Sequence, residues 1–89
     1  MAGMIVHKVA TDYPPIARAA GMQGIVVLQA EIDKDGRIKD LHVISGPAML
    51  QMAALDAVKQ WTYKPFIFEG DPIEVETTIN IVFRLQNDR

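Results

Sequence analysis

Hydrophobic and polar residues alternate strictly over residues 24–33. Val26, Leu28, Ala30 and Ile32 fall on one face, and Ile25, Val27, Gln29 and Glu31 on the other. A period of two marks a half-buried strand, because successive side chains point to opposite faces. A second run of this kind closes the chain, where Val75, Thr77, Ile79, Ile81, Phe83 and Leu85 alternate with Glu76, Thr78, Asn80, Val82 and Arg84. Its β-branched content suits a long strand. After the first run, Asp33-Lys34-Asp35-Gly36 reads as a hairpin turn with Gly36 in the left-handed position. Residues 37–45 return as a further strand with Leu41 and Val43 on the core face. Ile38 is out of step with that pair, which predicts a bulge near Lys39 and Asp40.

Two segments carry helical spacing instead. Pro14-Pro15 forces an extended Tyr13 and then suits a first helical turn, so the Ala-rich residues 16–20 form about two turns that stop at Gly21. Gly46-Pro47 opens a longer helix over residues 48–61, where Leu50, Ala54, Ala57, Val58 and Trp61 share one face and Lys64-Pro65 supplies the stop. Residues 66–68 are a short apolar segment, followed by a turn at Glu69-Gly70-Asp71-Pro72. The order is short helix, hairpin, long helix, strand. The simplest fold is α+β, a three-stranded antiparallel sheet with both helices packed on one face.

At 89 residues the chain holds one domain, with residues 1–8 expected as an N-terminal tail or linker remnant, 9–86 as the domain and 87–89 as a C-terminal tail. Residues 1–8 contain no extended apolar stretch of the signal-peptide kind, so a targeting segment is expected in a longer parent. Apolar residues make up 49% of the chain, enough for a core and too many for a disordered segment. The net charge of −2, with no two adjacent Lys or Arg, gives no electrostatic footprint for nucleic acid or an anionic bilayer. The lack of cysteine excludes disulfides, thiolate metal sites and a cysteine nucleophile.

Candidate chemistry is sparse. His7 lies in the expected tail, and His42 sits on a strand position that alternation turns towards solvent. Ser45 is the only serine and lacks a Gly-x-Ser-x-Gly setting. Glu31, Asp33 and Asp35 beside Gly36 suggest a calcium loop, but Lys34, Arg37 and Lys39 interrupt the required pattern, and a hairpin turn accounts for them. Trp61 continues the apolar helix face and reads as core rather than as a stacking platform. No catalytic set, metal, nucleotide or cofactor is implied, and an enzyme is not expected. The last strand stands out: at a sheet edge its unpaired N–H and C=O groups would accept another strand, unless Glu74, Glu76 and Arg84 serve only to protect it or the segment at residues 66–68 caps it.

From Tyr13 to Phe83 the sequence resembles the TonB C-terminal family. The resemblance runs through Tyr13-Pro14-Pro15-Ile16-Ala17-Arg18, Gly21-Met22-Gln23-Gly24, Asp33-Lys34-Asp35-Gly36-Arg37 and Ser45-Gly46. It continues through Leu50, Ala53-Ala54-Leu55-Asp56-Ala57-Val58, Trp61-Thr62-Tyr63-Lys64-Pro65 and Val75-Glu76-Thr77-Thr78-Ile79. It implies a periplasmic receptor-binding domain of an energy transducer, tethered to the inner membrane in the full-length parent. Such a domain captures the TonB box, an extended peptide of outer-membrane transporters, by β-strand addition. The proton-channel complex of the inner membrane would be reached through the rest of the parent.

The resemblance places peptide binding on the last strand, at Glu76, Thr77, Thr78, Ile79, Asn80, Ile81, Val82 and Phe83. It adds the segment Ala10, Thr11, Asp12 and Tyr13, where Ala10 cannot supply the side-chain hydrogen bonds of the Gln and Asn found in the best-known members. Related fragments also pair as intertwined homodimers through the same strands. Two neighbouring readings share the fold: a TonB-like module of a membrane sensor or signalling protein, and a TolA-like envelope domain, which lacks the Tyr-Pro and Trp-x-Tyr-x-Pro pattern.

Overall fold

A computed structural model describes residues 5–85. The elements in chain order are β1 (Ile5–His7), α1 (Pro15–Ala19), β2 (Gly24–Ile32), β3 (Ile38–Ser45), α2 (Ala48–Val58), β4 (Thr62–Tyr63), β5 (Phe66–Phe68), β6 (Asp71–Ile73) and β7 (Val75–Phe83). The main sheet is antiparallel with strand order β3-β2-β7, so the central strand is the first of the three in sequence. α2 packs on β2 and β3, and α1 packs on α2. This is the α+β arrangement that the hydrophobic pattern predicts.

The core lies between the sheet and the helices. Val26, Leu28, Ala30 and Ile32 of β2 are buried, as the alternation requires, and Ile79, Ile81 and Phe83 of β7 join them. The helices contribute Ala17, Leu50, Ala54 and Val58 to the same cluster. α1 ends as Gly21 implies: the Met22 N–H bonds the Ala17 carbonyl at 2.9 Å and the Gly21 N–H bonds the Arg18 carbonyl at 3.1 Å. That pair of bonds is the Schellman closure, and Met22 packs back against the core beside Ala17.

The β2–β3 turn is built around Asp33. Its Oδ1 accepts the N–H groups of Asp35 and Arg37, each at 2.9 Å, while its carbonyl accepts the Gly36 N–H at 3.0 Å. These donors, the Arg37 N–H first among them, hold the Asp33 carboxyl below its ordinary range. The bulge predicted near Lys39 and Asp40 is present: Glu31 pairs with Asp40 and Ile32 with Ile38, leaving Lys39 as the extra residue. A second irregularity leaves Ile44 between the Val27–Ser45 and Leu28–Val43 pairs.

Three segments differ from the sequence reading. α2 ends at Val58, not at Trp61: the Lys59 N–H still makes the helical bond to the Leu55 carbonyl, and Gln60 and Trp61 then turn out of the helix through tighter i→i−3 bonds to the Ala57 and Val58 carbonyls. The chain then enters β4, where Thr62 and Tyr63 suit extended structure better than helix. Trp61 is still buried, at 4% exposure, so helical spacing foretells its side chain but not its backbone. Residues 5–7, expected within the tail, form β1 and pair with β4. Residues 66–73 form a hairpin of β5 and β6, with Glu69 at φ 52° and Gly70 at φ 86° as its two-residue turn. Two successive positive φ values match the twist of flanking strands, so Pro72 lies within a strand rather than a turn. Residues 1–4 of the expected N-terminal tail, residue 86 at the expected domain end and the expected C-terminal tail at 87–89 lie outside the described residues.

Gly36 is constrained twice. Its φ is 89°, and a Cβ built on it would lie 1.8 Å from the Tyr63 carbonyl oxygen, while its own carbonyl accepts the Tyr63 N–H at 2.7 Å. Gly70 shares the positive φ, but a Cβ there meets nothing within 4 Å. Gly70→Ala should cost about 1–2 kcal/mol of left-handed strain. Gly36→Ala should cost clearly more, since the hairpin turn or β4 must also move. Thermal unfolding of the two variants decides this, and equal losses would refute the close contact. Asp33→Ala should lower the melting temperature at neutral pH, with the gap to the parent protein closing under acid. The depressed folded pKa contributes stability above the unfolded value, and that stability is lost as pH falls through the folded value.

Candidate functional site

Strand alternation fixes which backbone groups of β7 are free. In the β2–β3 turn the Asp33 N–H bonds the Arg37 carbonyl and the Asp33 carbonyl accepts the Gly36 N–H, so both backbone groups of Asp33 face β3. N–H and C=O of one residue point to one side of a strand, and those of the next residue to the other. Counting back along β2, Val26, Leu28, Ala30 and Ile32 face β7. Their partners are Ile81, Ile79, Thr77 and Val75 in an unbroken register from Gly24–Phe83 to Ile32–Val75. The Leu85 N–H agrees, bonding the Gln23 side-chain oxygen at 2.8 Å on the β2 side. Glu76, Thr78, Asn80 and Val82 therefore direct their N–H and C=O groups away from β2, towards the sheet margin.

The same four residues have exposed side chains, whereas Ile79, Ile81 and Phe83 point into the core. The predicted binding strand thus separates into two sets. Ile79, Ile81, Phe83 and Thr77 hold β7 to the domain; Glu76, Thr78, Asn80 and Val82 form its outer edge. A proline at Ile79 or Ile81 would damage the β2 ladder and core, so Asn80 is the position that probes the edge.

The N-terminal segment faces one end of this edge. Lys8, Val9, Ala10, Thr11 and Trp61 line a cleft of about 440 Å³ whose other wall is Asn80, Ile81 and Val82. Ala10 and Thr11 therefore meet the strand they were expected to accompany. Asp12 and Tyr13 do not line this cleft. They border a second one, about 400 Å³, with Ala10, Met49, Met52 and Asp56 along α2. Tyr13 anchors the segment: its ring meets Phe83 edge-on at 5.4 Å, its hydroxyl donates to the Met22 carbonyl, and the Arg18 guanidinium lies over its ring at 5.0 Å. Trp61 and Lys8, which the sequence reading leaves out of the site, both line the first cleft. The Trp61 indole donates to the Val9 carbonyl at 3.0 Å and the Lys8 ammonium lies 5.4 Å from its ring centre. No local pattern signals a bond across 52 residues.

The far end of the edge is acidic. Glu31 sits directly opposite Glu76, the Gln29 amide donates to Glu76 at 3.2 Å, and Lys39 pairs with Glu74 at 3.1 Å. The Glu74 carboxylate holds the Lys39 ammonium above its usual range. These charges discourage uncontrolled edge pairing near the start of β7 and leave the Thr78–Val82 end uncharged. His42 is exposed on β3, as alternation predicts.

An α+β domain with an open sheet edge beside a cleft is the class that this geometry defines. A model of the family described as the Gram-negative bacterial TonB protein C-terminal matches residues 9–85. The chain belongs to the TonB C-terminal family. It is 36% identical over 85 residues to a protein named TonB from Vibrio cholerae, covering 93% of this chain and 35% of that one. It is 34% identical over 62 residues to a protein named tonB2 from Pseudomonas aeruginosa, covering 67% of this chain and 23% of that one. The solution structure of the Pseudomonas aeruginosa TonB C-terminal domain superposes with a TM-score of 0.79 at 25% identity, covering 96% of this chain and 88% of that one. The chain spans about a third or less of the length of these curated relatives.

Trp61→Ala should destabilise the domain by about 3–5 kcal/mol, as loss of a buried aromatic does. His42→Gln should leave the melting temperature within a degree or two, consistent with an exposed strand position. Chemical denaturation of both variants checks the pair.

Proposed function

We propose that this chain is the receptor-binding domain of a TonB-type energy transducer. It captures the TonB box of outer-membrane transporters by adding that peptide as a strand to β7. The observation that carries the proposal is the set of outward backbone groups at Glu76, Thr78, Asn80 and Val82, of which Asn80 and Val82 border a cleft walled by residues 8–11. Family membership and the names of the relatives support the transport role. The domain works in the periplasm, and the remainder of the parent supplies the inner-membrane anchor and the contact with the proton-driven complex. A ladder of main-chain hydrogen bonds suits this task, because it grips receptors that differ in side chains. A homodimer formed through the same edge would compete with the peptide.

Titration calorimetry with a synthetic TonB-box peptide tests the edge directly. Asn80→Pro removes one outward N–H and should weaken binding at least about tenfold while the domain stays folded, since edge strands tolerate proline. Normal affinity in the folded variant would show that the peptide is held elsewhere.

A further inference from the structure

The two walls of the cleft are held very differently. β7 is fixed by nine register pairs with β2 and by three buried side chains. Residues 8–11 belong to no element, and Lys8 and Ala10 are exposed. Before them comes β1, three exposed residues paired with the two-residue β4. After them Tyr13 is anchored at Phe83 and Met22. Between these points the side-chain hydrogen bond that holds the wall is Trp61 Nε1–H to the Val9 carbonyl at 3.0 Å, reinforced by Lys8 over the indole ring.

The donor cannot readily move. The Trp61 ring is buried at 4% exposure, and a buried indole N–H needs an acceptor. Trp61 also lines the cleft. Its backbone is fixed at both ends, by the Trp61 N–H to the Val58 carbonyl at 2.9 Å and by Tyr63 against Gly36 at 2.7 Å. The core therefore sets where the Val9 carbonyl lies, and with it the distance of residues 8–11 from β7.

From this we propose that Trp61 is a positioning residue for peptide capture. Its indole N–H tethers the second wall of the groove, so that a strand added to β7 is covered on its new outer edge by residues 8–11. The proposal rests on the β7 reading above. It makes the affinity depend on a hydrogen bond that need not touch the peptide.

The test replaces Trp61 by Phe, which keeps an aromatic ring in the core and removes the donor. Amide hydrogen exchange, melting temperature and affinity for a synthetic TonB-box peptide are then compared with the parent domain. The expected result is a folded variant with faster exchange confined to residues 5–11, and affinity about three- to tenfold weaker through faster dissociation. A purely structural role would lower the melting temperature but leave the affinity of the folded protein unchanged, and that outcome overturns the proposal. Unchanged exchange at residues 8–11 overturns it equally. If Trp61→Phe fails to fold, 3-benzothienylalanine at position 61 keeps the bicyclic shape without the N–H, and the same outcomes decide. A parent domain that binds the peptide without perturbing β7 contradicts the function proposed above, a result separable from any effect of Trp61.

Discussion

The β2–β7 ladder is the constraint on which the rest of the structure depends. Nine residues pair without a bulge, and both strands keep strict alternation throughout. Because side-chain face and backbone direction alternate together, that single register decides two things at once. It buries Ile79, Ile81 and Phe83 beneath the helices, and it turns the backbone of Glu76, Thr78, Asn80 and Val82 outward. A slip of one residue would expose the core face and reverse the free edge in the same step. Stability and the proposed strand addition therefore place the same demand on the register, although they use different residues. By contrast the β2–β3 ladder carries two irregularities, which the opposite margin of the sheet accommodates.

A second set of contacts ties distant pieces of chain to the end of α2. The Tyr63 N–H reaches the Gly36 carbonyl, Arg37 bridges to Thr62, β4 pairs with β1, and Trp61 holds Val9. The four-residue stretch from Gln60 to Tyr63 thus links the hairpin turn, the N-terminal segment and the core. This explains why a glycine is needed at position 36 beyond the demand of the turn. It also explains why α2 stops short of Trp61: residues 62 and 63 must be extended to serve as β4.

Much of this was legible in local pattern. Period-two alternation located β2 and β7, the Asp-Gly turn located the hairpin partner of β2, and the misfit of Ile38 announced the bulge at Lys39. The helical spacing of Leu50, Ala54, Ala57 and Val58 identified the packed face of α2. What escaped shares a physical cause. β1, β5 and β6 have three residues each and β4 has two, too few to show a period; β1 and β4 exist through pairing with each other across the chain, and β5 and β6 through pairing across their own short turn. The Glu69-Gly70 turn was visible as a turn, but the strands it joins were not. In the site, alternation separated the faces of β7, whereas its place at the sheet margin depends on tertiary pairing. The expectation that Ala10 and Thr11 belong to the site came from family resemblance, and both line one cleft with Asn80 and Val82. Asp12 and Tyr13 lie on the α2 side of the same segment, and the Trp61–Val9 tether had no sequence signal.

Residue-resolved amide hydrogen exchange across β7, with and without a synthetic TonB-box peptide, tests the central claim most directly. In the free monomer Thr77, Ile79 and Ile81 should exchange slowly, while Thr78, Asn80 and Val82 exchange quickly. Added peptide should slow that second set. Rapid exchange of Thr78, Asn80 and Val82 that persists when the peptide is saturating would contradict strand addition on this edge.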